Sequence, residues 1–417
     1  MKSIRCFLTM IATVAIVGLA VADHWPSWRG PEMNGHSREK NLPTQWSGDG
    51  TGIKWKLALP GPGMSTPIIW GDRIFLTQSL DAGHQRAVLC IDRKAGKEMW
   101  RGVTEYADKE STYQGDRHFC SASPVTDGDR VVASFGSAGL VCYDFAGKLL
   151  WRRDLGKCEQ IWGNAASPVI YQNLVIHNFG PGERTFLIAL DKRTGQEVWK
   201  VDIPDGRFGT APTDWIGSWS TPLIASAQSG DQVLLSWPGA LVAYEPKTGK
   251  ELWRCGGLGK LIYTTPLVTP ELIVAMSGYG GPMLAVRRDP AARGDITETH
   301  RLWREERSPQ RIGSGVIVGD HIFILNDPGT MQCLELKTGK SLWNERLGAG
   351  TWGSTTFADG KLYVINRQGE TAILAAKPEF EVLSRNPLND KCQSSLVISN
   401  GELFIRTYTH LWCIGGK

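Results

Sequence analysis

Trp162, Trp215, Trp219, Trp237 and Trp352 are the residues of this sequence best suited to hold a small molecule, because they lie outside the repeat that claims seven of its seventeen tryptophans. An indole offers a flat apolar face for stacking on a planar or cyclic ligand, one N–H donor, and a large area for anchoring a partner protein. His177, Asn326, Asn366, Arg367 and Arg406 add polar or cationic groups, each near the end of a short apolar run. Glu183, Asp214 and Asp327 are the carboxylates with access to the same region, and no spacing singles out one of them as a general base. The eight histidines are scattered, with neither His-x-x-x-His nor His-Glu-x-x-His, so no local zinc site is predicted. No Cys-x-x-Cys-His is present to attach a haem. Gly61-Pro-Gly63 and Gly278-Tyr-Gly-Gly281 have no helical pattern after them and read as turns rather than phosphate cradles.

The frame for these side chains is an internal repeat. Ala189-Leu-Asp-Lys-Arg-Thr-Gly195-Gln-Glu-Val-Trp199 is matched position by position by Ala243 to Trp253, and Cys90 to Trp100 and Cys333 to Trp343 fit the same pattern. Cys142 to Trp151 is one residue short, and Ala285 to Trp303 carries an insertion after Arg288. Ahead of each copy comes Ser/Thr followed by Pro or a small residue, as in Ser65-Thr-Pro67, Ser123-Pro124, Ser167-Pro168 and Thr265-Pro266. Two apolar runs follow, separated by an Asp, Asn or Gly turn. Further starts near Ser220, Ser314, Ser354 and Ser394 bring the count to eight units.

Short β-branched runs between turn residues predict strands, four per unit, here called A to D from first to last. Four-stranded meanders repeated every ~40 to 50 residues predict an all-β chain folded as one eight-bladed β-propeller over 53–415. Strand A follows the Ser/Thr element and strand D carries the tryptophan. The eighth unit stops after Leu411 to Ile414 without a strand D, while an orphan strand D, Ile53 to Leu57, precedes the first unit. Their pairing would leave no open sheet edge. In such a meander the A–B and C–D turns share one face, and the B–C and D–A connections share the other. The second set holds the long segments, 101–119 and 202–218 among them, so a site is predicted on that face.

The Ala-x-Asp-x-x-Thr-Gly-Lys-x-x-Trp motif resembles the tryptophan-docking repeat of propellers similar to pyrroloquinoline quinone (PQQ) enzymes, a group that includes quinoprotein alcohol dehydrogenases and the BamB-like subunit of outer-membrane barrel assembly. The resemblance runs from Trp55 to Cys413, and Trp25-Pro-Ser-Trp-Arg-Gly-Pro31 is similar to exported bacterial proteins of the same group. It implies that Trp55, Trp100, Trp151, Trp199, Trp253, Trp303 and Trp343 are packing devices, each laid on the next blade. The motif is shared by enzymes and non-enzymes, so it implies a fold and not an activity. The adjacent Cys-Cys pair that some PQQ dehydrogenases hold against their cofactor is absent.

Residues 1–22 carry Lys2 and Arg5, an apolar run from Cys6 to Val21 and an Ala20-Val-Ala22 ending, which reads as a secretory signal, with 23–52 as a lead into the propeller. Loss of that segment would bring 46 basic residues to 44 against 42 acidic ones, a balance that argues against nucleic acid as a partner. No membrane span is expected after cleavage. Cys90, Cys142, Cys333 and Cys413 align with Ala189, Ala243, Ala285 and Ala375 and read as small buried strand residues. Cys120 and Cys392 fall in blades that are not neighbours, so the pattern predicts packing rather than a bridge. The expectation is therefore a monomeric, exported, non-catalytic binding or scaffolding propeller of the cell envelope. It would take a protein partner or a small flat or cyclic ligand and no cofactor or metal. The alternative is a quinoprotein dehydrogenase using PQQ with Ca²⁺ to oxidise alcohols or sugars.

Overall fold

Apolar runs rich in Val, Ile and Leu become strands here because their β-branched side chains fit a pleated surface buried on both sides. The computed structural model describes residues 24–108, 110, 119–158, 160, 162–182, 184–203, 216–226, 230–308 and 312–415. Its strands form eight blades, each built on four antiparallel strands; the fourth blade gains a fifth, parallel strand, and Gly217–Ser218 pairs in parallel with Leu261–Ile262 as a separate two-stranded sheet. Blade 1 is typical, with strands Ile68–Trp70, Arg73–Leu80, Gln85–Asp92 and Lys97–Glu105. Around the axis the innermost strands of blades 2 to 7 are Val125–Thr126, Val169–Tyr171, Leu223–Ala225, Leu267–Val268, Val316–Val318 and Thr356–Ala358. Blade 8 consists of Val397–Ser399, Glu402–Arg406 and His410–Ile414, completed by Ile53–Ala58 from the other end of the chain. The pairing runs Trp55↔Cys413, Lys56↔Trp412 and Leu57↔Leu411, which closes the ring as the missing eighth strand D requires.

Strands B and C are buried on both faces, between two neighbouring blades, whereas strand D alternates. Period-2 alternation turns the residue before each docking tryptophan outward, which is why Met99, Val198, Leu302 and Leu342 are exposed beside buried or half-buried indoles. Inside each of these blades the tryptophan faces a small residue across the C–D ladder: Cys90↔Trp100, Cys142↔Trp151, Ala189↔Trp199, Ala243↔Trp253, Ala285↔Trp303 and Cys333↔Trp343. A bulge follows at once in every case, so the small side chain makes room for the ring. Blade 7 lacks a tryptophan, and there Ile373, rather than the aligned Ala375, occupies this position opposite Ser384. All eight described cysteines are buried and free.

The docking geometry is nearly constant. Trp55, Trp100, Trp151, Trp199 and Trp303 donate their indole N–H to a carbonyl of the next blade's C–D turn, at Arg93, Phe145, Lys192, Pro246 and Leu336, over 2.9–3.1 Å. The ring then lies on that turn's glycine; a Cβ at Gly249 would sit 2.5 Å from Trp199, and its φ of +71° already favours glycine. Two tryptophans depart from the pattern, and in both the next turn lacks Thr-Gly. Trp253 meets the insertion and donates to Gln232 Oε1 instead, while the insertion's Gly294–Asp295 pairs with the edge of blade 4. Trp343 packs edge-on against Phe380, and its N–H has no partner among the described residues.

Candidate functional site

Where strand A begins in each blade, the Ser/Thr element builds a ring around the axis. The amide of Thr66 donates to Ser123 Oγ, Ser123 to Ser167 and Ser167 to Thr221, and the series resumes from Thr265 through Ser314, Ser354 and Ser395 back to Thr66, all over 2.9–3.1 Å. Between Thr221 and Thr265 the sense reverses, and the Thr265 hydroxyl donates to the Thr221 carbonyl over 3.4 Å. Each accepting hydroxyl spends one lone pair on a neighbour's amide and keeps its O–H to donate and a second lone pair to accept.

Thr66, Ser123, Ser167, Thr221 and Ser395 of this ring line a cavity of roughly 360 Å³ on the axis. Its walls are aromatic: Trp28, Trp162, Trp219 and Trp352, with Tyr263 and Tyr279. Trp219 is fixed by its N–H to Gly163 O over 2.8 Å and packs on Tyr263 with ring centres 5.0 Å apart. Trp352 lies under the Arg367 guanidinium, 4.9 Å from the ring centre, and its buried Nε1 has no partner among the described residues. Arg367 stands 3.7 Å from Asp327, and both face the cavity. Gln393, 8% exposed, also lines it with an Oε1 that has no partner among the described residues. The site is thus a stacking slot whose walls carry indole and guanidinium donors, hydroxyls able to donate or accept, and the acceptors Asp327 and Gln393.

Trp162, Trp219, Trp352 and Arg367 are brought together here; Trp215, Glu183 and Asp214 lie outside the described residues. Asn326 and Asn366 do not line the cavity but brace the turns that feed it. Asn326 Oδ1 accepts from Thr330 N over 3.0 Å, and Asn366 Oδ1 accepts from Gln368 and Glu370 N over 3.0 and 3.1 Å; the residue after each is Asp327 or Arg367. His177 and Arg406 correct the reading of a polar mouth, because both are fully buried within the blades. His177 meets Ser134 Oγ at 3.1 Å, and burial pushes its pKa down to about 3. Arg406 donates to Thr77 O over 2.7 Å, to Gln78 Oε1 over 2.8 Å and to Ser65, welding blade 8 to blade 1. Gly63 is glycine because a Cβ there would fall 1.7 Å from that guanidinium. Trp237 ends a strand and donates to Tyr244 Oη over 2.8 Å, away from the cavity. Arg101–Glu105 belongs to an outer strand rather than to a connection. The sequence reading missed Gln393, Tyr263 and the hydroxyl ring as lining groups, although the recurrence of Ser/Thr at one repeat position was the signal for the ring.

A family model described as outer membrane protein assembly factor BamB matches residues 38–180 and 183–414. Among curated proteins, 1-butanol dehydrogenase (cytochrome c) of Thauera butanivorans is 22% identical over 321 residues, covering 68% of this chain and 46% of that one. Quinohemoprotein alcohol dehydrogenase ADH IIB of Pseudomonas putida is 23% identical over 351 residues, 80% of this chain and 42% of that one. The chain therefore spans less than half the length of these two relatives. Among solved structures, the quinohemoprotein alcohol dehydrogenase from Comamonas testosteroni superposes with a TM-score of 0.70 at 12% identity, covering 95% of this chain and 81% of that one. BamB from Moraxella catarrhalis gives 0.61 at 17% identity, with 86% and 98% covered. At such identities the structural likeness establishes the fold. With the family model matched across nearly all of the closed ring, the chain belongs to the PQQ-like repeat propeller family described as outer membrane protein assembly factor BamB.

Proposed function

We propose that this chain is a non-catalytic binding propeller of the cell envelope, and that its axial cavity takes a flat or cyclic small molecule bearing oxygen acceptors. The observation that carries this reading is the cavity itself: four indoles and two tyrosines surround a floor of hydroxyls, and Trp352 Nε1 is buried there without a partner among the described residues. A buried N–H left unmade costs ~1–3 kcal/mol, a cost that a ligand acceptor or an ordered water would relieve. The envelope assignment rests on the family and on the N-terminal signal pattern. Among the described residues no helix is long and apolar enough to cross a membrane.

The names of the curated relatives favour a second reading, a quinoprotein dehydrogenase. The cavity's described residues supply the stacking faces for PQQ but not its charges. PQQ carries three carboxylates and is held with a divalent cation, whereas the described lining offers one cation, Arg367, next to one carboxylate, Asp327. Among the described residues no group of three or more His, Cys, Asp or Glu is placed to hold a metal. The two readings separate in one experiment, in which purified protein is incubated with PQQ and Ca²⁺, desalted, examined for quinone absorbance and assayed for dye-linked oxidation of alcohols and sugars. The binding reading expects no retained quinone and no oxidation. Stoichiometric retention with turnover would replace it by the second.

A further inference from the structure

The N-terminal lead carries a motif, Trp25-Pro-Ser-Trp-Arg-Gly30, that the propeller itself does not require. In the structure this segment runs inside the channel. Trp25 pairs with Ile69 near the A–B end of blade 1, and Pro26 O accepts from Thr126 N in blade 2 over 2.9 Å. Arg29 then reaches the opposite side, donating to the carbonyls of Ser314 over 3.2 Å and Gly315 over 2.6 Å in blade 6. His36 pairs with Phe357 in blade 7, after which the chain leaves the axis. Ser314 is itself a member of the hydroxyl ring, so Arg29 ties the lead to the ring at the level of the cavity. Two glycines make the path passable: Gly30, at φ +82°, lies against the Trp25 ring, and Gly35, at φ +83°, has no room for a Cβ beside the Arg29 guanidinium. Trp28, between these anchors, is half-buried and lines the cavity.

We propose that Trp28 is a ligand-contacting residue and that the lead closes the cavity at its A–B end. The proposal rests on the binding reading above and names a further residue of the same site. Its logic is geometric. The strands of a ring leave a channel open at both ends; a segment crossing it turns the channel into a pocket, and the side chain that faces the pocket from that segment forms its end wall. Arg29 serves as the anchor, since it is 2% exposed and its guanidinium donates to the main-chain carbonyls of Asn34, Ser314, Gly315 and Thr355. Burial lowers its pKa to about 9, so the anchor remains charged at neutral pH.

The test uses the full chain labelled with 5-fluorotryptophan, with 1-anilinonaphthalene-8-sulfonate as a flat probe bearing oxygen acceptors, and with resonances assigned by single Trp→Phe substitution. The Trp28 resonance is expected to shift on titration together with those of Trp162, Trp219 and Trp352. Trp28→Ala should weaken the probe at least tenfold, and Trp28→Phe, which keeps a flat face, should recover most of that loss with unchanged circular dichroism. Shifts at Trp162, Trp219 and Trp352 with none at Trp28 would overturn the proposal and leave the binding reading standing. No shift at any of the four would overturn both. Equal probe affinity in wild type and Trp28→Ala would overturn the contact even if the fold were intact.

Discussion

Trp199→Ala tests the physical account of the blade joints most directly. Trp199 is 8% exposed, donates to Pro246 O over 3.0 Å and lies on Gly249 of the next blade. Burying about 200 Å² of ring at ~25 cal/mol/Å² gives roughly 5 kcal/mol as an upper bound, and partial collapse of the site brings the expected loss to ~3–5 kcal/mol. An unfolding entropy of ~2.1 cal/mol/K per residue over some 390 residues makes ~4 kcal/mol equivalent to a fall of about 5 °C in Tm. Gly249→Ala carries two costs, an unfavourable φ of +71° worth ~1–2 kcal/mol and the approach of its Cβ to the Trp199 ring. With the ring removed only the first remains, so the double variant should be less destabilised than the two single losses added together, by ~1–2 kcal/mol. Trp343→Ala is the comparison, since its N–H has no partner among the described residues and its ring packs edge-on against Phe380; its loss should be about 1 kcal/mol smaller. Urea and thermal unfolding followed by circular dichroism measure all four. A Gly249→Ala cost that is the same with and without Trp199 would refute docking through this contact.

Arg406→Met should cost ~3–5 kcal/mol in unfolding free energy by leaving Ser65, Thr77 and Gln78 acceptors buried and unpaired, while any properly folded fraction keeps full probe affinity; weakened binding in that fraction would put Arg406 in the site after all. His177 has a folded pKa near 3 against 6.5 unfolded, so its contribution is complete above about pH 6.5 and falls by roughly 1.4 kcal/mol per pH unit as the pH drops towards 3. His177→Gln should flatten that acid limb of the stability profile, and an unchanged limb would show that other groups set it. Removing residues 24–60 exposes the edge of His410–Ile414 and takes away Trp55, so light scattering should detect association; a monomer of wild-type Tm would contradict closure by that strand.

The repeat, its eight copies and the closure by an orphan strand are local and periodic facts, and period-2 burial with recurring turns is enough to specify strand, blade and ring. The docking role of Trp199 and the smallness of Cys90 or Ala189 were likewise legible, because each repeats at one position. The site was legible only in part. The sequence grouped Trp162, Trp219, Trp352 and Arg367, which line one cavity, because connection length and strand alternation decide which face a residue joins. It did not separate Arg367, which enters the cavity, from Arg406, which lies at the homologous end of strand B but turns into the joint between blades 8 and 1. That choice depends on what the neighbouring blade presents: Gly63, Ser65 and Gln78 offer Arg406 space and acceptors, while Trp352 offers Arg367 a flat face to cover. The path of Trp25–Gly35 through the channel was equally invisible in the sequence. Its partners, Ile69, Ser314, Gly315 and Phe357, come from blades far apart in the chain, and only ring closure sets them around one axis.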